Sequence, residues 1–145
     1  MAASDLVSSS RTINVFSPVA LTGGAIASTA LDTKGWRWAV IAVSVGAMAA
    51  GADGTIAVQF SATAGGTYAT PTGATFVPTA TSDDSVILGV IDLQQMNRWL
   101  QCNGTSPAGA GVLGITVTLY GCDDTTQYIN SGVGEADEIA FTILT

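Results

Sequence analysis

Short apolar runs recur along this chain, separated by glycine and small polar residues at intervals of roughly ten residues, the spacing of an all-β sandwich or barrel. Many of the runs alternate with a period of two, as a strand covered on one face does. The cleanest is 55–62, "TIAVQFSA". There Ile56, Val58 and Phe60 face one way and Thr55, Ala57, Gln59 and Ser61 the other. By the same pattern strands are predicted over 12–16, 25–31, 36–45, 75–77, 85–93, 97–103, 111–122 and 139–144. In the last of these Ile139, Phe141 and Ile143 share a face. The only helical signal is the short "LQQM" at 93–96. The predicted fold is all-β: a two-sheet antiparallel β-sandwich, with a jelly roll as the variant, carrying extended terminal arms.

The stretch 31–47, "LDTKGWRWAVIAVSVGA", carries the most information. Trp36, Trp38 and Val40 fall on one face of an extended chain. Arg37, Ala39, Ile41, Val43 and Val45 fall on the other. Beyond Ala39 both faces are apolar, which predicts a central strand covered on both sides. The stretch is too short and too glycine-broken to be a membrane span, which needs roughly 18–20 apolar residues.

Turn chemistry fills the gaps. Asp53-Gly54 between two strands predicts a hairpin. Gly65-Gly66 offers positive φ. The glycine-rich 104–111 joins two more strands in a hairpin turning near Pro107, which sets Cys102 opposite a residue near 113. On that register Cys102 and Cys122 are two reduced, partly buried thiols and not a bridge. The parts are then an N-terminal arm (1–11), a sandwich domain (12–122) and a C-terminal arm with a final strand (123–145).

Charge narrows the function classes. Of 145 residues only 10% are charged, the net charge is −7, and four residues are basic. An ordinary soluble domain carries about 25%, so this chain is expected to hide much surface in an assembly, as a homo-oligomer. Arg11, Lys34, Arg37 and Arg98 form no cluster, so neither nucleic acid nor an anionic membrane surface is an expected partner. The first residues, "MAASDLVSSSRTINVF", have neither the basic nor the apolar region of a signal peptide.

Candidate chemistry is sparse. With no histidine, Ser-His and Cys-His nucleophiles and the commonest general base are excluded. The doublets Asp83-Asp84 and Asp123-Asp124 sit in turn contexts, and no loop has calcium-binding spacing. The 104–111 loop is followed by no lysine and no helix, so it is not a phosphate loop. No catalytic residue, cofactor or metal is expected, and the chain does not read as an enzyme. The aromatics Trp36, Trp38, Trp99, Tyr68 and Tyr120 could line a sugar-binding platform. Packing accounts for them without a ligand, so Trp36, Trp38, Trp99, Tyr120 and Phe141 are expected in the core or at a subunit interface. Asp92 and Arg98 flank the 93–97 corner and are expected to bond each other or cap the turn as a structural clamp.

The order of three blocks now matters: "ALDTKGWRWAVIAVSVGA", "GTIAVQFSATAGGTYATPTGATF" and "VILGVIDLQQMNRWLQCNGTSPAGAGVLGITVTLYG". It resembles the capsid decoration (cement) proteins of tailed double-stranded DNA phages. The resemblance rests on Asp32, Gly35, Trp36, Gly54, Ser61, Gly66, Tyr68, Ile91, Asp92, Arg98, Trp99 and Leu100, and runs from about residue 30 to 122. The acidic residue usual after Ser61 is absent. The resemblance implies a virion structural protein, made in the host cytoplasm, that binds the major capsid protein on the outer capsid surface and stabilises the head. A trimer is expected, since capsid surfaces offer local three-fold sites. Tail or fibre-base proteins share the pattern, and a carbohydrate-binding module is the other alternative. Terminal arms, residues 4–16 or 135–144, are expected to add a strand to a neighbouring subunit or to the shell.

Overall fold

A computed structural model describes residues 10–79, 81–109 and 111–121. Nine strands and one short 3-10 turn follow one another: β1 (Ser10–Leu21), β2 (Ala25–Ala27), β3 (Leu31–Asp32), β4 (Trp38–Val45), β5 (Thr55–Ser61), β6 (Thr75–Phe76), β7 (Ser85–Asp92), the turn Leu93–Gln95, β8 (Trp99–Thr105) and β9 (Gly111–Tyr120). Every strand pairing is antiparallel. The fold is a two-sheet β-sandwich, as the alternation predicts.

The pairings nest. β5 pairs with β6, β4 with β7, β2 and β3 with β8, and β1 with β9, all around the 62–74 connection. This long folded hairpin rolls into one sheet ordered β1-β9-β4-β7 and a second ordered β2-β8-β5-β6, with β3 also on β8. Taking β2 and β3 as one interrupted strand, this is the eight-stranded jelly roll. The interruption has a visible cause. Ser28 exchanges two bonds with Cys102: its N–H donates to the Cys102 carbonyl (2.9 Å) and its Oγ accepts from the Cys102 N–H (2.8 Å). The next N–H, of Thr29, turns away to the Val15 carbonyl of the other sheet (3.1 Å).

Two expected hairpins are absent. β4 and β5 lie in different sheets, so Asp53-Gly54 belongs to a crossing between layers. Gly54 donates to the Pro78 carbonyl (2.8 Å), and a Cβ on it would stand 2.7 Å from Pro107 Cδ. It is glycine because three connections crowd at this end of the sandwich, not because a turn needs positive φ. β8 and β9 are also in different sheets, so Cys102 stands opposite Val58 and not near residue 113. Gly65 and Gly66 do not adopt positive φ either.

The core lies between the layers. Ala39, Ile41, Val43 and Val45 of β4 and Leu113, Ile115, Val117 and Leu119 of β9 point inward from one sheet. Ile56, Val58 and Phe60 of β5 and Leu100 and Cys102 of β8 meet them from the other. Each of the larger apolar side chains contributes about 1.5–3 kcal/mol of hydrophobic stabilisation. β1 begins at Ser10 and runs to Leu21, so residues 10–16 belong to this chain's own sheet and are not a free arm. The register shifts between Asn14 and Val19 admit Pro18 on this edge strand, where a missing N–H is tolerated. Residues 1–9 and 122–145 fall outside the described residues, and with them Cys122, Phe141, Asp123-Asp124 and the expected strand 139–144.

Candidate interaction surface

The 33–36 turn sets how the tryptophans divide. Gly35 has φ +83° and the Trp36 N–H closes onto the Thr33 carbonyl (3.1 Å). Only glycine takes that φ without strain. The turn tucks Trp36 into the core, and β4 starts two residues later. Trp38 therefore points outward with Val40, Ala42 and Ser44. Trp99 lies on the outer face of the other sheet, since Leu100 and Cys102 take the inner positions of β8. The three tryptophans thus occupy the core and two opposite surfaces, and they cannot form one flat sugar platform. Tyr68 donates its hydroxyl to the Ala64 carbonyl (2.9 Å), within its own loop.

Arg98 turns to Asp32, not to Asp92. Its Nε donates to Oδ1 (2.8 Å) and its terminal nitrogen to Oδ2 (2.5 Å), a two-point pair joining β3 to the start of β8. Asp32 Oδ1 also accepts from the Lys34 N–H (3.0 Å). The Arg98 bonds hold the Asp32 carboxyl below its usual range, partial burial opposes them, and the Lys34 N–H assists. Asp92 caps the 3-10 turn, accepting from the Gln94 N–H (3.0 Å). Asp83 is likewise occupied, accepting from the Met48 N–H (2.7 Å). Burial alone pushes the Cys102 thiol up to about 12, so it is no nucleophile.

The two outer faces differ in kind. On the β2-β8-β5-β6 sheet, amides close on one another. Asn103 Nδ2 donates to Gln59 Oε1 (2.8 Å), Gln59 Nε2 to Thr70 Oγ1 (3.2 Å) and Gln101 Nε2 to the Ser28 carbonyl (2.9 Å). Arg98 stacks 5.3 Å above Trp99 beside them. The face is hydrophilic and largely self-satisfied.

The outer face of the other sheet grades from polar to apolar. Thr12 and Thr118 bond each other near the β1 edge (3.0 Å). Towards β7 the cross-strand partners become Val40 with Val90, Ala42 with Leu88 and Ser44 with Val86. Val86, Leu88 and Val90 are 58%, 64% and 66% exposed. Trp38, opposite both Tyr120 and Asp92, bounds this stripe at one end, with the Arg37 guanidinium 5.8 Å from its ring. Asp84 bounds it at the other. Singly exposed apolar residues are ordinary, but a contiguous uncharged stripe along an edge strand marks an interaction site. Sequence reasoning missed this site, although a signal was there: "SVILGVID" is apolar at odd and even positions alike, and an edge strand can bury only one of them.

Two solved structures share this fold. The crystal structure of the PBSX exported protein XepA matches with a TM-score of 0.56 at 12% identity, over 83% of this chain. This chain spans only 40% of XepA. The crystal structure of the SPBc2 prophage-derived protein YomS matches with a TM-score of 0.52 at 7% identity, over 77% of this chain and 93% of YomS. A structure described as "Bacillus endospore appendages form a novel family of disulfide-linked pili" aligns more loosely, with a TM-score of 0.45 at 16% identity over 77% of this chain and 88% of that one. No protein-family profile and no curated protein matches the sequence.

Proposed function

We propose that this protein is a virion structural protein that binds the outer surface of a phage capsid as an oligomer and stabilises the particle. The observation that carries the proposal is the uncharged stripe Val86, Leu88 and Val90, continuous with Val40 and Ala42 and rimmed by Trp38 and Tyr120. Removing such a stripe from water is the main favourable term in association. The stripe lies on a rigid sheet, so docking orders few side chains and costs little entropy. The prophage proteins that share the fold, the sequence resemblance and the low charge support the same reading. The role is passive: no bond is made or broken, and each docked copy adds buried interface across a seam, raising the free energy needed to pull capsomers apart.

Particles assembled with and without this chain test the role. Those lacking it are expected to lose their shape and release DNA at a lower temperature in a thermal melt. Identical melting profiles, or purified particles free of the chain, would count decisively against it.

A further inference from the structure

The free edge of β7 and the groove beside it are built to receive one more strand. Among the described residues β7 pairs with β4 alone, over eight continuous partners without a bulge. Until Asp92 it holds no charge and no proline. Natural edges are blunted by such devices, and one without them invites pairing. Across from β7 the second sheet ends in β6, only two residues long. The gap between the layers is a groove of about 670 Å³, lined by Pro71, Ala74, Phe76, Ile87, Ile91 and Met96. Phe76 reaches under β7 to Gly89, where an added Cβ would stand 2.6 Å from the ring. The groove has an apolar floor and one open side.

We propose that residues 139–144 of the same chain form that strand, antiparallel to β7, with Ile139, Phe141 and Ile143 seated in the groove. Three features of the chain select this occupant. The segment alternates, with those three apolar residues on one face and Ala140, Thr142 and Leu144 on the other, and it is uncharged. The chain leaves the sandwich at the right place. β9 ends at Tyr120 beside Trp38, Trp38 faces Asp92, and Gly121 turns the chain with φ +68°. A strand entering beside β7 from the Asp92 end runs antiparallel to it. Finally, the tether has the right length. The new position lies three strand spacings from β9, about 14 Å. Residues 122–138 span about 23 Å on average if they behave as a flexible coil. A tether matched to its span gives an effective concentration in the millimolar range, which favours the chain's own segment over a second copy in dilute solution. The inference is independent of the virion role and would hold if that role failed.

Per-residue amide exchange and side-chain nuclear Overhauser contacts on the full chain test it. The expected result is contact between the Phe141 ring and the Met96 and Ile91 methyls. Those contacts should be absent between chains in a sample mixing labelled and unlabelled protein. The β7 amides that point away from β4 should be protected equally from micromolar to hundred-micromolar protein. Phe141→Asp should speed their exchange at least tenfold and leave β9 amides unchanged, while Phe141→Leu and the linker control Gln127→Asp keep the protection. Fast exchange of those β7 amides in the unaltered protein would overturn the proposal. So would protection lost on dilution, which would assign the edge to a second copy, or protection that survives Phe141→Asp.

Discussion

Asp32 does two jobs with one carboxylate: it receives Arg98 at two points and closes the turn that buries Trp36. Because its folded carboxyl titrates below the ordinary value of 3.8, the contribution is present above that pH and lost as pH falls below it. Both partners are partly exposed, so the pair is worth about 1 kcal/mol at most. Asp32→Asn is expected to lower stability by that amount in urea unfolding at pH 7, with the gap to the parent closing at pH 3. Equal stability at pH 7 would refute the assignment. Cys102 makes the opposite case, since desolvation keeps its thiol protonated. Peptide mapping after iodoacetamide treatment at pH 8 should find Cys102 unmodified in the native protein and modified in urea. Some of this is legible in the sequence. The Asp32–Gly35 turn follows from local residue chemistry, as does the absence of a Cys102 nucleophile. The Asp32–Arg98 pair is not local. It spans 66 positions and exists only because β3 and β8 share a register that no short window contains.

At the scale of elements, strand positions are legible because period-two alternation is a local signal. β5 is expected over 55–62 and is found at Thr55–Ser61, and the 93–96 turn is found at Leu93–Gln95. Pairing is the part that fails. A hairpin loop and a crossing between sheets have the same composition: both are short, polar and rich in glycine. Which one Asp53-Gly54 makes depends on where β5 finds its partner, and that partner is β8, 38 to 50 positions away (Ser61 with Trp99 to Thr55 with Thr105). The glycines now sort by surroundings. Gly54→Ala pushes a methyl into Pro107 and the Thr105 carbonyl and is expected to cost about 2 kcal/mol. A methyl group on Gly65 would meet nothing within 4 Å, and the residue has no positive φ, so Gly65→Ala should be neutral or stabilise by about 0.5 kcal/mol. Thermal unfolding of the two variants side by side checks both.

At the scale of the whole molecule, the sandwich presents one self-satisfied polar surface and one surface that becomes apolar towards β7. The sequence discloses the low charge that such an arrangement needs, but not which face carries the apolar stripe, because that follows from β7 being an edge. The aromatic residues draw attention in the sequence, yet the most exposed apolar side chains are aliphatic. Leu88→Lys alters a side chain already 64% in water, so it should change folding stability by no more than about 0.5 kcal/mol. Its effect belongs to docking. The most direct measurement is therefore rebinding of purified protein to particles assembled without it, comparing the parent with Leu88→Lys. The account predicts saturable binding by the parent and at least tenfold weaker binding by the variant at unchanged melting temperature. Equal binding by the two, or no binding by the parent, would contradict it.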